Sequence, residues 1–353
     1  MSQPTENPGP SIPPIDAFLK DPIALVERRG IPEQYHLFDR DSAQAIRAAL
    51  AARRPLLVRG EPGVGKTQLA AAAAKVLKRP LVARVVDSRT ESRDLLWTFD
   101  AVMRLADAQA ASSFLPAMRD LGSNPGKAPD GQSALTKKEI RKALDEADYV
   151  RPGPLWWAFD WDSALDQSRR SETAPPAHVK EDDPKNGRVV LIDEIDKGDT
   201  DVPNGLLEAL GAGQFTPQGR IKPVRIIEPF PLVVVTTNEE RVLPAAFVRR
   251  CFVLHLSLPE KQEALIEFLI ARAEVHFPDA GEGRENLFRK AAKLIADERA
   301  SARDRFVKPL PGQAEFLDLL RAVLVLGKSD GDPAELIDSN AHYVLKKQES
   351  PGA

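Results

Sequence analysis

The stretch that most constrains the fold is the octapeptide Gly60–Thr67, which reads Gly-Glu-Pro-Gly-Val-Gly-Lys-Thr. It matches the pattern G-x-x-x-x-G-K-[ST] of a phosphate-binding loop. The apolar run Leu56–Val58 precedes it and is predicted to be a buried strand, and Gln68–Leu77 follows it and consists mostly of strong helix formers. A strand that turns through glycines into a helix directs backbone N–H groups and partial positive charge at a phosphate. The sequence therefore predicts an α/β fold that binds nucleotide phosphates at this turn.

The residues of this loop have predicted roles at the phosphates. Lys66 is predicted to reach the β- and γ-phosphates of a nucleotide, and Thr67 is predicted to hold Mg²⁺. The alternative is a glycine-rich turn with a chance lysine, and the strand and helix on either side argue against it. The residues predicted to bind nucleotide are the octapeptide and the residue after it: Gly60, Glu61, Pro62, Gly63, Val64, Gly65, Lys66, Thr67 and Gln68.

Polar residues that follow two further apolar runs are predicted to complete this site. Arg188–Ile192 reads as a buried strand and leads into Asp193 and Glu194. Because ligands of open α/β sheets bind at the carboxyl ends of the strands, Asp193 is predicted to hold Mg²⁺ and Glu194 to polarise an attacking water. The strand Leu232–Val235 leads to Asn238, which is predicted to bond that water or the γ-phosphate. Solvated surface acids and an ordinary turn asparagine are the alternatives.

The composition is that of a soluble globular protein, with 42% hydrophobic and 29% charged residues among 353. The net charge of −3 gives no general attraction to nucleic acid, and no apolar run is long enough to span a membrane. The single cysteine, Cys251, excludes an intrachain disulfide and fits the cytoplasm, where we expect the protein. The histidines lack metal-ligand spacing, and no serine or cysteine nucleophile motif is present.

The order of predicted elements divides the chain into four parts. Met1–Pro14 is proline-rich and is predicted to be a disordered tail, and residues 348–353 are predicted to be a second tail. Residues 15–258 are predicted to form a nucleotide-binding domain with a parallel sheet flanked by helices and an insertion near residues 111–187. Residues 259–347 are predicted to form a helical domain, with helices at Glu260–His276, Glu285–Ala302, Gln313–Leu326 and Pro333–Lys346.

Other local patterns predict helices, a loop and two candidate contact segments. Further helices are predicted over Ile15–Arg29, Ser42–Arg53 with Asp41 or Ser42 as its N-cap, Glu91–Ala110 and Lys137–Ala147. The basic run Lys137–Lys142 is interpreted as a solvated helix face, and Asp166–Gly187 as a polar loop. Gly213–Ile221 contains a Gln218–Gly219 turn that predicts a hairpin. The aromatic cluster Leu155–Trp161 is interpreted as packing between helices, with a pore or partner surface as the alternative.

These motifs together resemble those of an AAA+ ATPase. Gly60–Thr67 resembles the Walker A motif of that family, Leu191–Glu194 its Walker B motif, Asn238 its sensor 1 residue and Arg250 its arginine finger. The resemblance covers about Tyr35 to Val325 and is closer to the MoxR-like branch. The stretches similar to that branch are Asp193–Lys197, Pro203–Glu208, Asp94–Leu96 with Phe99–Asp100, and Gly153–Leu155.

The resemblance implies a P-loop AAA+ domain with a C-terminal helical lid domain, assembled into a ring that is commonly a hexamer. ATP and Mg²⁺ would then lie between subunits. Arg250 would reach the γ-phosphate bound to the neighbouring subunit, because a guanidinium offers fixed, forked donors and keeps its charge; Arg249 is the alternative. The resemblance also implies a protein client that is remodelled or assembled, and it points to a client with a von Willebrand A-type domain.

One departure from the family pattern concerns the lid. The family usually has an arginine, the sensor 2 residue, at the start of a late lid helix after a proline. Gln313 occupies this place, and Lys308 or Arg321 are the candidates to replace the arginine. Two alternatives to a remodelling ATPase therefore stay open. One is an ATP-dependent oligomeric switch or scaffold with little hydrolysis, and the other is a nucleic-acid-dependent motor, which the acidic balance disfavours.

Overall fold

Parallel strands form the centre of the computed structural model, which describes residues 12–25, 34–110, 144–179, 181–281 and 283–345. In chain order the strands are β1 (Ile23–Leu25), β2 (Gln34–His36), β3 (Leu56–Arg59), β4 (Leu81–Val85), β5 (Trp97–Phe99), β6 (Val150–Pro152), β7 (Val189–Asp193), β8 (Gln214–Phe215), β9 (Val224–Arg225), β10 (Leu232–Thr237) and β11 (Phe252–His255). Within these residues the central sheet has five parallel strands in the order β11-β3-β10-β7-β4. The remaining strands pair antiparallel as β1–β2, β5–β6 and β8–β9.

Helices cover both faces of this sheet. In chain order the described helices are α1 (Asp16–Leu19), α2 (Arg40–Ala52), α3 (Lys66–Leu77), α4 (residues 101–110), α5 (Pro154–Phe159), α6 (Trp161–Arg170), α7 (Asp201–Ala212), α8 (Ala245–Val248), α9 (Gln262–His276), α10 (Arg284–Asp304), α11 (Gln313–Asp330) and α12 (Pro333–Leu345). Helices α1, α2 and α3 share one buried cluster with the sheet, and α5 and α7 share another. The predicted α/β class, with a parallel sheet flanked by helices, is confirmed.

The register of the sheet brings the ends of three strands to one edge. Val234 on β10 lies beside Leu56 on β3 and Leu191 on β7, and all three side chains are buried. Strands covered by helices on both faces are continuous apolar runs, which is why these strands could be recognised in the sequence. Because the strands run parallel, the residues that follow β3, β7 and β10 meet at the carboxyl edge.

Two N-terminal elements differ from the predicted ones. Helix α2 begins at Arg40, and its N-cap is Asp39 rather than Asp41 or Ser42, because the extended Asp39 accepts a hydrogen bond from the Ser42 N–H. The helix predicted over Ile15–Arg29 is wrong beyond α1. Pro22 disfavours helical geometry at the residue before it, and the chain continues as strand β1. Residues 26–29 of that prediction lie outside the described residues.

The single helix predicted over Glu91–Ala110 is also wrong. A 3₁₀ turn at Ser92–Leu95 is followed by β5, and helical structure resumes at residue 101. Strand β5 pairs with β6, and a Cβ added at Gly153 would lie 2.7 Å from the Asp94 carbonyl oxygen. The pairing with β6 and the close approach of the Gly153 backbone explain why Trp97–Phe99 is a strand rather than part of a helix. Val102, in the helical segment that follows, is 80% exposed.

The aromatic cluster packs inside the domain. Trp156 and Phe159 are fully buried in α5, and Trp157 and Trp161 are nearly so. The interpretation as packing between elements is confirmed, and the alternative of a pore or partner surface is wrong. The predicted polar loop from Asp166 starts later than expected, because α6 continues to Arg170.

The predicted hairpin is present as β8 and β9. Its return strand lies beyond the expected Ile221, because β9 begins at Val224. Gly219 has a φ of +71° in the connecting loop, a conformation that favours glycine. A Cβ there would lie 2.8 Å from the Ala147 backbone nitrogen, so the loop packs closely on that segment.

The C-terminal helices form a bundle with a buried cluster of their own. Helices α9, α10, α11 and α12 contribute to it, with Phe288 and Phe316 fully buried. The four helices predicted after Pro259 are confirmed, each with bounds within a few residues of those expected.

Some predictions concern parts of the chain outside the described residues. They are residues 1–11 of the N-terminal tail, residues 111–143 of the insertion including the basic run Lys137–Lys142, and the tail at 348–353. Among the described helices, none has the length and apolar character needed to cross a membrane.

The burial of Trp156 gives a stability prediction. Trp156→Ala removes a fully buried ring that also donates a hydrogen bond to Ser163 Oγ, so we expect it to lower the free energy of unfolding by about 3–5 kcal/mol. Urea titration followed by circular dichroism measures this. Val242→Ala is the matched control, because Val242 is 97% exposed. A Trp156→Ala midpoint equal to that of the control would contradict the packing described for α5.

The environment of His36 predicts how stability depends on pH. Burial lowers the pKa of His36 to about 4, with a smaller contribution from Arg272. Because the unfolded chain takes up the proton near pH 6.5 and the folded chain does so only near pH 4, stability falls as pH drops between these values.

Urea unfolding at pH 7 and pH 5 tests this dependence. We expect His36→Leu to lose less stability than the parent protein between the two pH values, because the variant cannot take up this proton. Equal losses in both proteins would show that His36 does not titrate as described.

Candidate functional site

A cavity of about 450 Å³ lies at the carboxyl edge of the sheet. The Gly60–Thr67 loop, the ends of β7 and β10, and the first turns of α11 form its walls. The lining residues are Gln34, Pro62, Gly63, Gly65, Lys66, Thr67, Gln68, Asp193, Glu194, Asn238, His276, Gln313, Ala314, Leu317, Asp318 and Arg321. The sheet and the C-terminal helices therefore enclose the cavity together.

The loop backbone adopts conformations that require its glycines. Gly63 and Gly65 have φ values of +79° and +95°, in the left-handed region that other residues avoid. A Cβ at Gly60 would overlap the Leu256 carbonyl oxygen, and one at Gly63 would lie 2.9 Å from Ala314 Cβ. The loop thus leads directly into α3, whose first residue is Lys66.

Lys66 points back into the loop. Its ammonium donates hydrogen bonds to the carbonyl oxygens of Gly60 at 2.7 Å and Glu61 at 2.8 Å. Burial lowers the pKa of Lys66, and the neighbouring carboxylates, Asp193 foremost, oppose this shift. The positive charge therefore lies between the loop and the acidic strand end, where the phosphates of a nucleotide would be held.

A chain of hydrogen bonds connects the ends of three neighbouring elements. The Thr67 hydroxyl donates to Asp193 Oδ2 at 2.9 Å, and the Thr236 hydroxyl donates to Asp193 Oδ1. The Thr236 oxygen in turn accepts the Glu194 N–H at 2.9 Å. Thr236 is fully buried and was missed as a site residue. The signal available in the sequence was a hydroxyl residue at the end of an otherwise aliphatic strand.

Glu194 is held by its backbone and by both carboxylate oxygens. Its φ of +58° is rare for a residue other than glycine. Oε1 accepts from Asn238 Nδ2 at 3.1 Å, and Oε2 pairs with Lys197 Nζ at 2.7 Å. The hydrogen bond from Lys197 to this carboxylate raises the pKa of Lys197. Lys197 was not predicted to be a site residue.

The two candidate arginine fingers lie outside this cavity. Arg249 and Arg250 follow α8 and are exposed to solvent. Across the described part of the chain, neither guanidinium takes part in a hydrogen bond or ion pair, and neither lines the cavity. The structure therefore does not bring them to the other site residues.

The helix that would carry a sensor 2 arginine begins with Gln313. This side chain is buried and lines the cavity at the first turn of α11. Arg321 lines it two turns later, with its Nη1 bonded to Asp318 at 2.9 Å, whereas Lys308 is not among the lining residues. Of the two candidates to replace the arginine, only Arg321 faces the cavity.

The oxygen atoms of Thr67 and Asp193 suit Mg²⁺. This ion prefers hard oxygen ligands and is usually held by one or two protein groups together with substrate phosphates. The described residues contain no cluster of three or more His, Cys, Asp or Glu side chains that could hold a metal without such help. The donor set therefore fits a metal that arrives with a nucleotide.

Helix α9 also reaches this cavity through His276. His276 Nε2 accepts the Tyr35 N–H at 3.2 Å, and its Nδ1 lies 2.9 Å from the Arg272 carbonyl oxygen. Burial lowers the pKa of His276, which favours the neutral ring that these two contacts require. The histidine thus joins β2 to the C-terminal helices at the wall of the cavity.

Comparison with solved structures found distant likenesses, and no curated protein sequence matches the chain. One likeness is to a protein from Cytophaga hutchinsonii ATCC 33406 to which ATPase activity has been assigned. The two share 14% sequence identity with a TM-score of 0.34, over 86% of this chain and 79% of that one. Another is to a mutant of RuvB from Thermotoga maritima, at 18% identity and a TM-score of 0.43, over 87% of this chain and 69% of that one.

A family model gives the assignment. The model described as the AAA domain of the dynein-related subfamily matches residues 55–251, more than half of the chain. The matched region runs from β3 through the loop, the acidic strand end and Asn238 to Cys251. The chain accordingly belongs to the dynein-related subfamily of AAA domains, and it is an AAA+ ATPase that uses ATP with Mg²⁺.

Proposed function

We propose that the protein is a MoxR-like AAA+ ATPase that hydrolyses ATP between the subunits of a ring and uses the energy to remodel or assemble a protein partner. The observation that carries the hydrolytic part is the hydrogen-bonded chain from Thr67 through Asp193 and Thr236 to Glu194. It fixes a metal-binding carboxylate and a catalytic carboxylate side by side, at the end of the loop that binds phosphate.

The residues that line the cavity have separate proposed parts in the reaction. The loop N–H groups and Lys66 bind and orient the phosphates, while Thr67 and Asp193 hold Mg²⁺, which supplies charge neutralisation when bound. Glu194 takes the proton of the attacking water as general base. Asn238, which already bonds Glu194 Oε1, orients that water or the γ-phosphate. Proximity and charge complementarity provide most of the catalysis in such sites.

Hydrolysis between subunits is supported by the position of the two arginines. Arg249 and Arg250 are exposed and lie outside the cavity of their own subunit. We propose that Arg250 reaches the ATP bound to the next subunit of a six-membered ring, and that Arg249 assists. Residues 259–347 act as the lid domain in this proposal, since α11 supplies one wall of the cavity.

The client-directed part of the proposal rests on the resemblance to the MoxR-like branch. The hairpin β8–β9 presents Ile221, which is almost fully exposed, in the loop between its strands. We propose that this loop faces the central pore and contacts the client, which would be a protein with a von Willebrand A-type domain. The cytoplasm is the proposed location.

A switch with little turnover is the second candidate function. Two observations favour it: Gln313 takes the place of an arginine, and both oxygens of Glu194 are already bonded. The switch would assemble on ATP without releasing phosphate. Phosphate release measured beside assembly separates the two functions.

Replacement of Glu194 tests the catalytic assignment. We expect Glu194→Gln to bind Mg-ATP with unchanged affinity and to lose about 10²–10⁴ in turnover, because the amide cannot accept the proton of water. Phosphate release and equilibrium binding of a fluorescent ATP analogue measure the two effects. Glu208→Gln, an exposed acid on α7, should behave like the parent protein. Undiminished turnover in Glu194→Gln would reject Glu194 as the general base.

Protein concentration tests whether the site is shared between subunits. We expect ATP turnover per subunit to rise with protein concentration, because the neighbour supplies the arginine. Arg250→Ala should lower the turnover rate by about 10³–10⁵, and Arg249→Ala should lower it less.

Mixing two inactive variants sharpens this test. In the mixture, some interfaces pair an Arg250→Ala subunit, which still has Glu194, with a Glu194→Gln subunit, which still has Arg250. These interfaces contain every proposed group, so the mixture should regain activity. Activity that is independent of concentration and shows no recovery on mixing would place the complete site within one subunit.

A further inference from the structure

We propose that Arg299 is a positioning residue that ties the C-terminal helices to the phosphate-binding loop through Glu61. This inference rests on the proposed function, because it concerns how the ATP cavity keeps its shape. Arg299 lies on α10, and its side chain is only 6% exposed. It is not among the residues that line the cavity, so it acts through others.

The guanidinium of Arg299 joins two segments that are far apart in sequence. Its Nη2 pairs with Glu61 Oε2 at 2.6 Å, and its Nη1 donates to the Pro311 carbonyl oxygen at 3.0 Å. Its Nε has no partner among the described residues. The forked arrangement of donors allows one side chain to hold both segments in a fixed relation.

Both of these partners are connected directly to the cavity. The Glu61 carbonyl oxygen accepts a hydrogen bond from Lys66 Nζ at 2.8 Å, so the residue whose side chain binds Arg299 also contacts the phosphate-binding lysine. Pro311 lies two residues before Gln313, where α11 begins. Arg299 thereby sets the position of α11 relative to the loop.

Helix α11 forms one wall of the cavity. Gln313, Leu317 and Arg321 lie on one face of this helix at intervals of one turn, and all three line the cavity. With Gln313 in place of an arginine, the first turn offers no cation to the phosphates. The ion pair between Arg299 and Glu61 supplies a charged connection between the C-terminal helices and the loop.

Of the two side chains in the Arg299–Glu61 ion pair, only that of Glu61 is substantially exposed to solvent. The Glu61 side chain is 44% exposed, whereas Arg299 is buried against its own helices. Removing Glu61 leaves a buried guanidinium with one carbonyl partner, and removing Arg299 leaves an acidic side chain free in the phosphate-binding loop. Either change breaks the same link, so the two changes together should have little more effect than one.

Equilibrium binding of a fluorescent Mg-ATP analogue to the full-length chain tests this link. We expect Arg299→Gln and Glu61→Ala each to raise Kd about tenfold, and the double variant to raise it no further. We expect KM to rise by a similar factor while kcat changes less. Arg303→Gln, one turn further along α10 and exposed, is the matched control and should keep the parent Kd.

Thermal unfolding of each variant separates positioning from stability. All measurements are made well below the lowest Tm, and if Arg299→Gln fails to fold, Glu61→Ala carries the test because its side chain is half exposed. A lower Tm with unchanged Kd and KM would make the pair purely structural and overturn the inference. Additive increases in Kd would also overturn it, since the residues would then act independently.

The outcomes distinguish this inference from the proposed function. Turnover by the parent protein with unchanged Kd in the variants would leave the ATPase proposal standing and remove Arg299 from it. A parent protein that binds ATP without turnover, together with raised Kd in both single variants, would support the link and favour the switch.

Discussion

The parallel pairing of β3, β10 and β7 is the constraint on which the site depends. It places the loop after β3, the acids at the end of β7 and the polar residues at the end of β10 at one edge of the sheet. The hydroxyl groups of Thr67 and Thr236 then bond the two oxygens of Asp193. A shift of one residue in the register would turn these side chains to the opposite faces of the sheet, and the metal-binding and catalytic carboxylates would separate.

Much of this arrangement is predictable from the sequence because its causes are local. The central strands are continuous apolar runs, and the sequence after Pro259 is almost entirely helical in pattern, so both were recognised. The predictions of secondary structure that were wrong failed because of contacts between distant parts of the chain or because of local backbone conformation. The segment Glu91–Ala110 has helical spacing, but pairing of β5 with β6 and the close approach at Gly153 impose a strand within it. Similarly, the N-cap of α2 is decided by the backbone conformation of Asp39, which the residue types alone do not reveal.

The residues of the candidate site likewise fall into those that the sequence predicts and those that it does not. Lys66, Thr67, Asp193, Glu194 and Asn238 were named from motifs, and the structure brings them to one cavity because each follows a strand of the same sheet. Three residues with contacts at or near the site were not predicted, because the role of each depends on a partner that the sequence does not identify. They are Thr236, Lys197 and Arg299. Arg299 and Glu61 are 238 positions apart. Their contact exists only because the C-terminal helices fold back onto the loop.

The contact between Gly63 and Ala314 has a consequence for how these two parts can change together. With a methyl group on one side and a bare backbone on the other, the loop and the first turn of α11 meet without any intervening side chain to absorb displacement. A flexible side chain at either position would take up small displacements by changing its conformation. Because no such side chain lies between them, a shift of the loop towards α11 would require the helix to move as well, together with the helices packed against it.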